Sequence, residues 1–143
     1  MVGSGLYTGK QTANGASGLI EHWDGRQWNY VSLVGPTSDA NDLTSITAIS
    51  PIDIWAAGSL SNAYTQLDNV YMQHWNGKEW ELAIWPTADG QLKANSAVSI
   101  ADISVTPDRH IIGVGSSTIF KQLPPTADAD HDPEQPFVLT NCR

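Results

Sequence analysis

The sequence predicts an all-β protein, and three observations lead to that fold class. An alternating pattern that ends in His-Trp, followed by a glycine-containing turn and a second Trp, occurs at 19–28 (LIEHWDGRQW) and again at 71–80 (YMQHWNGKEW). A run of β-branched and small residues also recurs, at 43–50 and 98–105. No stretch keeps a helical period over three turns. Alternating runs separated by turn residues are typical of antiparallel strands, so we expect repeated β-hairpins.

The first predicted strands lie within residues 1–33. Residues 2–4 (VGS) resemble the end of a strand, because residues 56–59 (AAGS) end a later strand in a similar way. The composition of residues 10–17 is that of a surface loop. A hairpin follows, in which Asp24-Gly25 is predicted to supply the positive φ angles of a two-residue turn.

The second predicted unit, residues 43–85, contains a complete set of four strands. They are expected at 43–50, 53–59, 70–76 and 79–85, with polar loops before and within the unit and Pro86 ending the last strand. Small and β-branched side chains dominate the first two of these strands. Because small residues allow close approach, these strands are predicted to hold neighbouring sheets together.

The third predicted unit, residues 97–143, repeats only the beginning of the second. A strand at 98–105, a turn at 106–108 and a strand at 110–116 match the corresponding segments of the preceding unit. A third strand is expected at either 118–122 or 137–141, and the local pattern leaves both open.

The spacing of the repeats predicts a β-propeller. Trp23 and Trp75 are 52 residues apart, as are Trp28 and Trp80. A period of about 50 residues with four short strands per unit is typical of a propeller blade. A β-sandwich is the structural alternative, although a sandwich has no reason to repeat Trp at a fixed period. The chain is thus predicted to be one partial propeller with fewer than three blades: the last three strands of one blade in 1–33, a complete blade in 43–85 and a following partial blade in 97–143.

Composition and charge exclude several classes of partner. The 143 residues carry 7 Lys plus Arg against 15 Asp plus Glu, giving a formal net charge of -8. Nucleic-acid and anionic membrane surfaces require a basic patch, so neither partner is expected. The single cysteine, Cys142, allows no intramolecular disulfide. The first residues lack the pattern of a signal peptide, and no run approaches the ~20 apolar residues of a membrane helix.

One acidic segment suggests a metal site. Asp128, Asp130 and Asp132 alternate along the chain as calcium ligands do in EF-hand loops. Pro133 stands where that loop requires Gly, and Leu139 where it requires Glu, so a solvated acidic loop is the alternative. Beyond calcium, no cofactor and no catalytic residue are predicted. His22 and His74 occupy equivalent repeat positions and are expected to be structural.

The segments LTSITAISPIDIWAAG at 43–58 and MQHWNGKEW at 72–80 resemble a kelch-like bacterial propeller repeat. In that repeat, an LxxVxAxSxxDxWAVG segment precedes an IEHWNGxxW segment. The resemblance implies a secreted or cell-surface protein acting as a non-catalytic interaction scaffold with a protein or glycan partner. The loops at 7–18, 60–69 and 87–96 are expected to be available to such a partner. A glycan-active enzyme related to sialidases or galactose oxidase is the alternative.

A propeller needs at least about four blades to close. The chain is therefore expected either to be a segment of a longer propeller, completed by neighbouring blades, or to complete itself by head-to-tail self-association of copies.

Overall fold

The computed structural model of the chain describes residues 2–3, 18–35, 40–61, 68–83, 96–120 and 132–141. All regular elements within these ranges are strands, and none of the described residues lies in a helix. The described residues accordingly contain no helix that could span a membrane. The ten strands are β1 (Val2–Gly3), β2 (Ile20–Trp23), β3 (Trp28–Val31), β4 (Ala40–Ser50), β5 (Asp53–Ser61), β6 (Asp68–Trp75), β7 (Trp80–Ala83), β8 (Ser96–Val105), β9 (Ile111–Ile119) and β10 (Gln135–Asn141).

The strands form three small antiparallel sheets. Sheet I has the order β1-β2-β3, sheet II the order β4-β5-β6-β7 and sheet III the order β10-β9-β8. In each sheet, strands that follow one another along the chain are hydrogen-bonded neighbours. The predicted all-β fold class is confirmed, and the three sheets, which close no barrel among the described residues, are consistent with an incomplete propeller.

Two glycines allow the first strands of sheets II and III to bulge. The ladder between β4 and β5 shifts register between Leu43 and Ser45, and Gly58 lies opposite the shift. A Cβ at Gly58 would stand 1.9 Å from the carbonyl oxygen of Asp42. Gly115 in sheet III repeats this arrangement, with a virtual Cβ 2.0 Å from a backbone oxygen of β8. Only glycine permits the two backbones to approach so closely.

Sheets II and III pack face to face around one hydrophobic core. The Thr44 hydroxyl donates to the carbonyl oxygen of Ile100 at 2.6 Å. The Ser45 hydroxyl donates to the Asp102 carboxylate and accepts from the Ile103 amide at 3.1 Å. These polar contacts flank a cluster of buried side chains drawn from both sheets: Trp55, Ala57, Met72, Ile100, Ile103 and Ile111. Small residues of β4 join the sheets as predicted, but Trp55 and Met72 contribute the large side chains.

Sheet I is joined to sheet II by fewer described contacts. The Gly18 amide donates to the carbonyl oxygen of Asn41 at 2.8 Å. The Tyr71 hydroxyl donates to the carbonyl oxygen of Val34 at 2.6 Å, and the ring lies against Gly35. Burial raises the pKa of the Tyr71 hydroxyl, which keeps it protonated as a donor.

The hairpin turn of sheet I differs from the prediction. Among residues 24–27 only Gly25 has a positive φ, at 98°, so Asp24 does not take the left-handed conformation. Instead, one oxygen of the Asp24 carboxylate accepts the backbone amides of Arg26 and Gln27. Its other oxygen accepts from the Asn29 side chain at 2.8 Å. The turn is therefore fixed by a side-chain cap, in which Asp mimics a backbone carbonyl.

The hairpin of sheet II contains the same cap with reversed polarity. The Asn76 side-chain oxygen accepts the amides of Lys78 and Glu79, and its nitrogen donates to Glu81 at 2.6 Å. Asn76 and Glu81 of sheet II thus correspond to Asp24 and Asn29 of sheet I. In each pair, one side-chain amide donates to one carboxylate.

The structure also decides between the two candidate third strands of sheet III. β10 (Gln135–Asn141) pairs antiparallel with β9, which agrees with the alternative at 137–141. The alternative at 118–122 is wrong, because Thr118 and Ile119 continue β9 and pair with β8.

Candidate functional site

A groove of 580 Å³ between sheets I and II is the candidate functional site. Sheet I contributes β2 and β3, and sheet II contributes the end of β4, the turn to β5 and the start of β5, together with the end of β6 and the start of β7. The residues that line the groove are Ile20, Glu21, His22, Val31, Ala48, Ser50, Pro51, Ile54, Trp75 and Trp80.

The strand registers explain why the apolar side chains of sheet II meet in the groove. Ile54 lies opposite Ala48 on one side and opposite Trp75 on the other. Trp75 in turn lies opposite Trp80. Directly paired residues share one face of an antiparallel sheet, so these four side chains form a continuous apolar surface. The two indole rings are 6.0 Å apart between centroids and inclined by 47°.

Three polar residues line the groove: Glu21 and His22 of sheet I, and Ser50 at the end of β4. Glu21 is paired with Tyr30 in the ladder between β2 and β3, so its side chain lies on the face of sheet I away from the groove. His22 and Ser50 therefore supply the polar side chains, and no Lys or Arg is among the described lining residues.

The equivalent space between sheets II and III is filled by Trp55. Its indole stacks on the His74 ring at 4.2 Å between centroids and 23° between planes. The Trp55 Nε1 donates to the Asp53 Oδ1 at 2.9 Å, and the His74 Nε2 lies 2.9 Å from the same oxygen. In sheet I, Val2 takes the register position opposite His22 that Trp55 takes opposite His74. The sequence therefore carries no Trp at this register position of sheet I.

Sheet III presents an open face at positions that are buried in sheet II. Val114 lies opposite Asp102, as Ala57 lies opposite Ser45 in sheet II. Val138 lies opposite Val114, as Met72 lies opposite Ala57. Ala57 and Met72 are 0% and 1% exposed beneath sheet III, whereas Val114 and Val138 are 42% and 61% exposed. No described residue covers this face of sheet III.

Sheet I has an open face on the side away from the groove. Trp23 and Trp28 form a tilted pair, 5.6 Å between centroids, that repeats the pair in the groove. Both rings and Tyr30 are exposed. The chain thus presents aromatic side chains on the open face of sheet I and aliphatic side chains on that of sheet III.

The predicted calcium residues are only partly described. Asp128 and Asp130 lie outside the described residues. Asp132 is exposed, and its amide donates to the carbonyl oxygen of Ile119 at 2.9 Å. Within the described ranges, no group of three His, Cys, Asp or Glu residues is arranged to hold a metal. The calcium site remains a prediction. Most residues of the predicted partner-binding loops also lie outside the described residues; these loops are 7–18, 60–69 and 87–96.

The two equivalent histidines have different surroundings. His74 is held by Asp53 and stacked on Trp55, which matches its expected structural role. His22 is exposed and lines the groove. Both histidines were predicted to be structural, so this difference was missed. The sequence signal that separates them is that no Trp precedes His22 at the position equivalent to Trp55.

Comparison of the chain with protein-family models, with curated proteins and with solved structures finds no match. The kelch-like resemblance accordingly remains a prediction, and function is inferred from the groove and the two open faces.

Proposed function

We propose that the chain is a kelch-like β-propeller segment that serves as a non-catalytic interaction scaffold and is completed by further sheets. The observation that carries this proposal is the contrast between equivalent positions in sheets II and III. Met72 is buried by the sheet that follows it, whereas Val138 at the same register position is exposed. Exposed apolar positions of this kind favour a further sheet docking on sheet III.

The open face of sheet I supports head-to-tail self-association. Sheet III packs on sheet II through the face that corresponds to the outer face of sheet I. A second copy can therefore offer Trp23, Trp28 and Tyr30 to the exposed Val114 and Val138 in the same orientation. Contacts of this heterologous kind close into a ring when the rotation between copies fits. A neighbouring blade of a longer chain would satisfy the same faces.

The glycan-active alternative receives weaker support from the groove. Trp75 and Trp80 provide the aromatic surface that such an enzyme would need. Among the described lining residues, Glu21 is the one acidic residue and none is an arginine, and the pairing of Glu21 with Tyr30 places its carboxylate on the other face of sheet I. Glycoside hydrolysis ordinarily requires two carboxylates flanking the scissile bond. The groove therefore favours binding over catalysis.

The test is the solution mass of the chain over a range of concentrations, measured by light scattering. We expect assemblies larger than the 15.4 kDa monomer, and a shift toward monomer in Val138→Asp and in Tyr30→Asp. Lys78→Gln is the control, because it changes the net charge by the same amount at an exposed residue of the turn between β6 and β7, in sheet II. A well-folded monomer at every concentration would contradict self-assembly.

If self-assembly fails, the longer-propeller version predicts that the chain is stabilised when a neighbouring blade is fused to it. The stabilisation should be lost when the fused protein carries Val138→Asp. A fusion that unfolds at the same urea concentration as the isolated chain would contradict the scaffold proposal.

A further inference from the structure

We propose that Asn76 is a spontaneous modification site, at which loss of the side-chain amide weakens the hairpin of β6 and β7 irreversibly. Asn76 precedes Gly77 in the turn between these strands, and both residues are exposed. The co-reactant is water from the solvent. The proposal is independent of the scaffold function, because it concerns one turn within sheet II.

The reaction is an attack of a backbone amide on the neighbouring side-chain amide. The Gly77 nitrogen forms a bond to the Asn76 Cγ, and the bond from Cγ to Nδ2 breaks. The side-chain nitrogen leaves as ammonia, which takes up the proton of the Gly77 amide. Water then hydrolyses the cyclic imide at one carbonyl to give aspartate, or at the other to give isoaspartate. Gly77 carries no Cβ that would hinder the ring closure.

The cap of the turn controls when this reaction can occur. The Asn76 Oδ1 accepts the amides of Lys78 and Glu79 at 2.9 and 3.0 Å. The Asn76 Nδ2 donates to the Glu81 carboxylate at 2.6 Å. Ring closure brings Cγ onto the Gly77 nitrogen and expels the nitrogen that Glu81 holds. The cap must therefore open first, so the reaction proceeds from the locally opened hairpin.

The product lacks a partner that the equivalent hairpin of sheet I provides. There, the Asp24 carboxylate caps the turn, and its second oxygen accepts from the Asn29 side chain at 2.8 Å. In sheet II the corresponding partner is the Glu81 carboxylate, which has no hydrogen to donate. Aspartate at position 76 would set two carboxylates against each other, and isoaspartate would insert a carbon into the backbone of the turn. Either product therefore disfavours reclosure of the cap.

A weakened turn would alter the groove between sheets I and II. Trp75 and Trp80 flank the turn and pair with each other across the hairpin. Both residues line the groove. Fraying of the strand ends that carry the two indoles would therefore change one wall of the groove.

Peptide mass spectrometry of the full chain, incubated at mildly alkaline pH, measures the rate at which Asn76 loses its amide. We expect this rate to be about ten-fold or more higher in concentrated urea, where the cap is absent. Asn14 also precedes a glycine and is the internal reference, because the two sites should react at similar rates in urea. In the folded chain, Glu81→Ala should raise the rate at Asn76 about three-fold by removing one partner of the cap. Glu81→Gln keeps an acceptor oxygen and should change the rate little.

Substitutions that imitate the product test its effect on the hairpin. Asn76→Asp should lower the urea midpoint of unfolding by about 0.5 M. Combining Asn76→Asp with Glu81→Asn recreates the pair of Asp24 and Asn29 and should restore the midpoint. Lys78→Gln is the matched control, because it changes the net charge by the same amount in the same turn but keeps the hydrogen bonds of the cap.

Equal rates at Asn76 in the folded chain and in urea would overturn control by the cap. No product at Asn76 in the folded chain after many half-times of the urea reaction would overturn the modification site. A midpoint of Asn76→Asp equal to that of Lys78→Gln, or a double variant no more stable than Asn76→Asp, would overturn the weakening of the hairpin. None of these results affects the scaffold proposal, which depends on solution mass and on fusion stability.

Discussion

Replacing Met72 by Ala tests whether sheet III covers sheet II. Met72 is 1% exposed and belongs to the core cluster between the two sheets. Removing its buried side-chain atoms forfeits about 2 kcal/mol of transfer free energy, and the cavity left behind raises the cost to about 3 kcal/mol. Val138→Ala is the matched control, because Val138 occupies the equivalent position but is 61% exposed. Its two methyl groups should contribute only about 0.5 kcal/mol.

Urea unfolding followed by tryptophan fluorescence measures both free energies, since Trp55 reports directly on the interface. The protein is kept at low micromolar concentration so that association does not contribute to stability. For a chain of this size, a difference of about 2.5 kcal/mol between the two variants should separate their midpoints by about 1 M urea or more. Equal midpoints for Met72→Ala and Val138→Ala would refute the reasoning, because they would mean that the two positions are buried alike.

Two further predictions concern backbone geometry and pH. Gly58→Ala should leave the chain largely unfolded by circular dichroism, because the new Cβ would overlap a carbonyl oxygen of β4. Gly25→Ala is the comparison, since no atom lies within 4 Å of its new Cβ. It should lower the free energy of unfolding by only about 1 kcal/mol, through its positive φ. The pKa of Asp24 lies below its ordinary value of 3.8, mainly because the carboxylate accepts the backbone amide of Gln27. The ionised carboxylate should therefore stabilise the turn fully above pH 3.8, and this stabilisation should be lost as the pH falls through the lowered pKa. An NMR titration of the Asp24 carboxyl checks this, and a midpoint at or above 3.8 would contradict it.

Local patterns predicted the strands of this protein well. The hairpins beginning at Ile20 and in the 70–85 region were readable because alternation and turn residues lie within a few positions of one another. The sequence left the third strand of sheet III undecided, since residues 120–134 separate β9 from β10 and their pairing depends on long-range register. The bulges opposite Gly58 and Gly115 were missed for the same reason, because a bulge is a relation between two strands.

The chemistry of the turns was predicted only in part. Asp24 was expected to take a positive φ, but its side chain competes for the turn amides and fixes a different geometry. The sequence shows Asn76 and Glu81 at the hairpin positions equivalent to Asp24 and Asn29, and the two residues of each pair are five apart. The groove was not predicted, because the lack of a Trp equivalent to Trp55 gains its meaning only once the register opposite His22 is known.

The uneven connections between the sheets bear on how the molecule opens. Sheets II and III share a core and the hydrogen bonds of Thr44 and Ser45, so their amides should exchange with solvent only through cooperative unfolding. Sheet I is held to them by the described contacts of Gly18 and Tyr71 and should separate at a lower free energy. Sheet I would then act as a subglobal unit, and hydrogen exchange in β2 and β3 would report how often the groove widens while the rest of the fold stays intact.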